Sequence, residues 1–226
     1  MFFRKDYAAP GPGVNPDEPE KTGVARLTEI LSLECVTLVK LNLLFLLSCL
    51  PVVTIPPAIF AMNQVVRMMV LDQPVTLGYH YKTAFRTRWK RGYAAFLLTV
   101  VPLSLSLCGG WFYLSRAMAQ PVLFLPFMLC STVFLLTMLA STYFYGLLTT
   151  ERSVWECLRL ALILGAGRPL RAVLAALAVY GMLLFSVLEF PLSGIYLLLI
   201  GFSGPCLLGG FFIRTVLKQL EERSGT

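Results

Sequence analysis

The feature that most constrains this chain is a series of apolar runs, most of them close to the ~20 residues that a helix needs to cross a hydrocarbon layer. They fall at about 34–50, 57–71, 94–114, 121–148, 169–190 and 192–213. Charged residues make up only 14% of the sequence, against about 25% in an ordinary soluble domain. No polar stretch between the runs is long enough to enclose a core of its own. The expected fold class is therefore all-α: a polytopic helical membrane protein of about six membrane segments, with five possible.

The runs divide the chain simply. Residues 1–21, with Pro10, Gly11, Pro12, Gly13 and Pro16, are expected to be a disordered cytoplasmic tail. They lack the apolar centre of a signal peptide. Residues 22–220 are expected to form a single helical transmembrane domain, and 221–226 a C-terminal tail. Val24, Leu27 and Leu31 share a helical face, which fits either an amphipathic surface helix or the wet end of the first span.

The stretch 36–69 decides the topology. Lys40 lies close enough to one end of the first run to extend its charge back to the head groups. Asn42 lies deeper, and an amide in hydrocarbon needs a partner. The run then breaks at Pro51, Pro56 and Pro57. Each removes a backbone donor, and the residues before them are pushed toward extended geometry. An extended, water-poor turn is expected, with Pro57 in the first turn of the next helix. That helix turns polar at Asn63, Gln64 and Arg67. Asn42, Thr54, Asn63 and Gln64 are the candidates for a polar site or for contacts between helices.

Two segments between runs are amphipathic. In 78–93, Tyr81, Phe85, Trp89 and Tyr93 recur every fourth residue beside Lys82, Arg86 and Lys90, giving an aromatic stripe next to a basic one. In 151–171, Val154, Trp155, Leu158, Ala161 and Leu162 form an apolar face opposite Arg152, Glu156 and Arg159. Gly165, Gly167 and Pro169 should end this helix and start the next. Tyr81, Phe85, Arg86, Trp89, Lys90, Trp155 and Arg159 are candidate docking or lipid-surface faces.

Both segments and the tail carry most of the Lys and Arg, which assigns them and the C-terminus to the cytoplasmic side of a bacterial plasma membrane. Two crossings by 36–69 put the N-terminus inside as well, and this is the expected arrangement; a single crossing puts it outside. The formal charge of +7 is explained by lipid and topology rather than by nucleic acid. The six cysteines form no CxxC pair and there is one histidine, His80, so neither a metal site nor a disulfide framework is expected. With no carboxylate pair and no phosphate-binding loop, the chain is not expected to be an enzyme, and no cofactor is implied.

Asn42-Leu43-Leu44, then Leu50-Pro51-Val52-Val53-Thr54-Ile55, then Pro57-Ala58, together with the Phe85/Trp89 and Trp155/Pro169 segments, resemble the YesL family of small bacterial membrane proteins. The resemblance spans roughly residues 32–220. Pro56 stands where that family commonly has glycine. The resemblance implies a Gram-positive source and a link to carbohydrate uptake, as an accessory partner of sugar ABC transporter subunits or of a sensor kinase. It implies no site residues and does not fix the oligomeric state. The alternative expectation is a stand-alone small-solute transporter or channel using the broken-helix region 51–57.

Overall fold

The computed structural model describes residues 23–117, 120–188 and 194–224. The expected tail at 1–21 and the expected join around Glu189 and Pro191 lie outside these residues. Among the described residues the chain forms ten α-helices and no strand: α1 (Val24–Leu33), α2 (Cys35–Ser48), α3 (Ile55–Val70), α4 (Leu77–Thr87), α5 (Trp89–Ala117), α6 (Phe124–Leu148), α7 (Val154–Gly167), α8 (Pro169–Leu188), α9 (Gly194–Leu199) and α10 (Ser203–Ser224).

The molecule is an all-α polytopic membrane protein, as its apolar runs imply. Four stretches are long and apolar enough to cross a membrane: Val52–Val70, Trp89–Ala117, Pro121–Leu148 and Pro169–Ser186. The pair α1–α2, bent by 70°, makes a fifth if counted as one broken span. Large apolar side chains remain bare on the outer faces, among them Leu105, Leu129 and Leu177. In water such a surface would drive association, whereas lipid covers it.

Four helices run side by side. A Cβ on Gly109 of α5 would lie 3.1 Å from the Cys130 sulfur of α6, and Arg91 at the start of α5 bonds Thr150 just past the end of α6. The two helices are therefore antiparallel. Gly209 lies against Thr142 and Gly146 against Ile213, so α10 is parallel to α6. Gly209 also meets Val179, and Gly204 meets Met182, which makes α8 antiparallel to α10. The result is an up-down-up-down bundle of α5, α6, α8 and α10.

The stretch 36–69 does something its composition does not announce. Pro56, at the start of α3, touches Gly92 of α5: a Cβ there would lie 2.8 Å from the Pro56 carbonyl oxygen. The other end of α3 stays at the same end of the bundle. There Arg67 donates to the Thr149 carbonyl (2.7 Å) and Val66 and Val70 pack on Gly210 of α10. So α3 lies across the end of the bundle instead of alongside its helices, and α4 packs against it. Buried residues occupy most of α3, including Phe60, Val65, Val66 and Val70.

The proline turn is tighter than expected. Residues 52–54 form a 3-10 turn instead of an extended segment. The Thr54 amide donates to the Pro51 carbonyl (2.9 Å), and the Thr54 hydroxyl donates to the carbonyls of both Ser48 and Pro51. The turn lies beside the start of α5, where the Tyr93 hydroxyl donates to the Val53 carbonyl. Pro56 and Pro57 fall in the first turn of α3 and are buried, where their missing N–H groups cost nothing.

Other departures have local causes. The stripe expected over 78–93 is broken at Arg88, so Trp89 and Tyr93 belong to α5 and Tyr81 and Phe85 to α4. The span expected at 192–213 is interrupted between α9 and α10. At Gly201 a Cβ would come within 2.6 Å of the Leu197 Cα. Helix α7 ends at Gly167 and α8 starts at Pro169, where the glycines and proline place the join.

Candidate functional site

The interruption between α9 and α10 is where Asn42 acts. Its side chain is fully buried. Nδ2 donates to the carbonyls of Leu197 and Leu198, both at 2.8 Å. Oδ1 accepts from the amides of Phe202 (3.0 Å) and Ser203 (3.1 Å). Carbonyls at the end of one helix and amides at the start of the next lack intrahelical partners. One carboxamide supplies partners to both ends, using its two donors and both lone pairs of its acceptor. Phe45, one turn along α2, packs on Phe202 with ring centroids 5.2 Å apart. Asn42 is thus a contact between helices and has no hydrogen-bonding capacity left for a ligand.

The other polar candidates do not join it. Thr54 is used up within its own turn. Asn63 Nδ2 donates to Ile59 one turn back (2.9 Å), and Asn63 lines a cavity of about 350 Å³ walled by α2, α3, α6, α8 and α10. Gln64 does not line that cavity, and its Oε1 is buried with no partner among the described residues. The four residues are therefore distributed among three places.

A second cluster, missed in the sequence, fastens the end of the bundle crossed by α3. Arg91 donates to the carbonyls of Thr150 (2.8 Å), Glu151 (3.3 Å) and Arg152 (2.6 Å). Arg67 takes the Thr149 carbonyl and pairs with Glu221 of α10 (2.6 Å). Two cations thus meet the carbonyls of the turn that leaves α6, close to the negative end of its dipole. Asp72, with φ of 60°, caps α3 and pairs with Arg26 of α1 and with Arg214 of α10 (2.9 Å). Arg88 pairs with Glu151 and, mainly through that hydrogen bond, holds its carboxyl below the usual carboxylate range. Arginines at 67, 91 and 214 were legible as positive charge, but not as clamps on backbone carbonyls, because a carbonyl acceptor leaves no residue signature.

The candidate docking faces separate. Tyr81 faces inward: it is 3% exposed, lies stacked on Phe85, and burial pushes its hydroxyl up to about 12. Phe85 is packed against the core. These two belong to the seam between α3 and α4, not to an outer face. Arg86, Lys90 and Arg159 are exposed, and so are Trp89 (47%) and Trp155 (70%). The buried face of α7 is the small row Cys157, Ala161 and Gly165, which allows close approach to α6. That row leaves Trp155 and Leu162 outward, so the apolar face expected of 151–171 is divided between the seam with α6 and the outer surface. Ser153 caps α7 by accepting from the Glu156 amide (3.2 Å), a pairing that the Ser-x-x-Glu spacing could have revealed. Among the described residues no three His, Cys, Asp or Glu side chains gather to hold a metal ion.

Comparison with curated proteins and with solved structures found no match. Residues 38–109, about a third of the chain, match a family described as "Protein of unknown function, DUF624". The matched part runs from α2 to the middle of α5. It contains Asn42, the proline turn, the crossing helix α3 and the arginines at 67, 88 and 91, so the similarity falls on the segment that closes the basic end of the bundle.

Proposed function

We propose that this protein is a non-catalytic accessory component of a bacterial plasma membrane, with its basic end in the cytoplasm serving as a docking face. The supporting observation is that Trp89 and Trp155 stand exposed on two segments that Arg88 and Arg91 fasten together. Bare tryptophans on a rigid, charged support are what a protein partner uses as anchors. The resemblance to the YesL family suggests the partner: a cytoplasmic subunit of a carbohydrate ABC transporter, or its sensor kinase. The stand-alone transporter reading placed its site at 51–57. It is less favoured because Thr54 and Asn42 spend their polar groups on backbone.

The test is affinity purification of the tagged chain from its native membrane, followed by identification of what accompanies it. The expected result is that transporter or sensor subunits co-purify and are lost when Trp89 and Trp155 are both changed to Ala, with the protein still folded. An unchanged set of companions in the double variant contradicts docking at this face, and leaves the two rings as lipid contacts.

A further inference from the structure

The cavity beside Asn63 has three properties that together define an occupant. Among the described residues it is lined by no charged side chain, and its wall is mostly apolar and aromatic, including Phe45, Ile59, Tyr145, Val179 and Phe202. Its polar groups are nearly all engaged: Ser141 with the Tyr180 hydroxyl, Tyr145 with Thr99 (2.7 Å), and Thr142 with the Met138 carbonyl (3.2 Å). The exception is Asn63. Its Oδ1 accepts no hydrogen bond among the described residues, and its Nδ2 has one proton to spare. Asn63 therefore offers an acceptor and a spare N–H beside hydroxyls whose protons are already committed and the Cys206 thiol, on an otherwise apolar wall.

The third property is access. A groove of about 690 Å³ runs between α6 and α8 on the outer side, lined by Leu135, Met138, Val173, Leu177 and Leu184. Tyr180 and Leu183 wall both this groove and the inner cavity. The groove is part of the apolar surface that lipid covers, so lipid chains reach the partition directly. Binding sites of this kind, apolar with few convergent polar groups, occur between the helices of bundles.

We infer that the inner cavity binds a neutral single-chain amphiphile, with its hydroxyl or amide head on the Asn63 carboxamide and its hydrocarbon chain leading past Tyr180 into the α6–α8 groove. A charged head is selected against because no side chain of opposite charge lines the wall among the described residues, and a buried unpaired charge is strongly disfavoured. Chain burial supplies most of the affinity, and the bond to Asn63 sets orientation and selectivity. The assignment is independent of any docking at the basic end, which lies outside this cavity.

The probe is a diazirine derivative of hexadecanol, photolysed with the full-length protein in phosphatidylcholine nanodiscs. The expected result is saturable labelling on peptides from α3, α6, α8 or α10. Unlabelled hexadecanol should compete, and hexadecyl phosphate should not. Val179→Phe, which fills the cavity, removes the saturable component. Asn63→Leu raises the half-saturating concentration about fivefold, the size expected for one neutral hydrogen bond. Both variants are accepted only if they unfold at the wild-type temperature; if either does not, the competition on the unmodified protein decides. Labelling that rises linearly without saturation, equal competition by the phosphate, or saturable labelling unchanged in folded Val179→Phe would each overturn the assignment.

Discussion

Replacing Asn42 by Leu removes all four hydrogen bonds that join α2 to the break between α9 and α10. Side-chain hydrogen bonds inside membrane proteins average about 0.6 kcal/mol each, so the four together give a lower estimate of about 2.4 kcal/mol. The buried amides of Phe202 and Ser203 are also left without acceptors, and an orphaned buried group costs about 1–3 kcal/mol. The loss is therefore expected at about 2.5–5 kcal/mol, from a substitution that adds no charge and keeps similar bulk. The assay is reversible unfolding in mixed micelles, paired with hydrogen exchange at the α9–α10 junction. Exchange at Phe202 and Ser203 should accelerate, while amides in the middle of α6 keep their protection relative to global unfolding. Asn42→Asp keeps the acceptor for the two amides but turns a second oxygen on the two carbonyls, so it should not rescue. A loss below about 0.5 kcal/mol, within the range of an unimportant surface change, would refute the clamp.

Two further outcomes follow from packing and burial. Gly92→Ala forces a Cβ to within 2.8 Å of the Pro56 carbonyl oxygen, with backbone on both sides. It should lower stability by about 1–3 kcal/mol, whereas Gly78→Ala, with nothing within 4 Å among the described residues, should be neutral or slightly stabilising when unfolding is compared. Cys157 is fully buried, donates to the Leu147 carbonyl (3.3 Å), and is pushed up by that burial. Its neutral form stabilises the fold below the unfolded thiol value of about 8.5. That contribution is lost as pH rises through the folded value, because the unfolded chain then ionises first. Maleimide should therefore leave Cys157 unmodified in folded protein at pH 7 and label it once detergent denatures the chain; labelling of the folded state would contradict the burial.

Much of the architecture was written in the runs of apolar residues, because a lipid environment penalises every unpaired charge and backbone group. The joins at Pro57, Gly167 and Pro169 were equally readable, since they depend on backbone chemistry local to those residues. The direction of α3 was not. A helix buried across the end of a bundle and a helix crossing the membrane need the same apolar side chains, and Phe60, Val65 and Val66 serve either. That Asn42 required a partner could be read from its depth. Which partner could not be, because the other half of the contact is main chain around Gly201, more than 150 residues further on. The stripe from Tyr81 to Tyr93 misled for the reverse reason. Its spacing is helical throughout, but the helix breaks at Arg88, which bonds Glu151, and Tyr81 and Trp89 end on different surfaces.

The central claim is that the proline turn lies at the basic end of the bundle, beside the start of α5, and that α3 crosses that end. Val52 is exposed in the turn, Lys82 is exposed on α4, and Ser115 is exposed at the far end of α5. Single cysteines at these three positions, in a chain whose own cysteines have been replaced, can be labelled with an impermeant maleimide in intact cells and in inverted vesicles. The account predicts that Val52→Cys and Lys82→Cys label from the same side, and Ser115→Cys from the other. Labelling of Val52→Cys together with Ser115→Cys would mean that 36–69 crosses the membrane as a hairpin, and would contradict the transverse placement of α3.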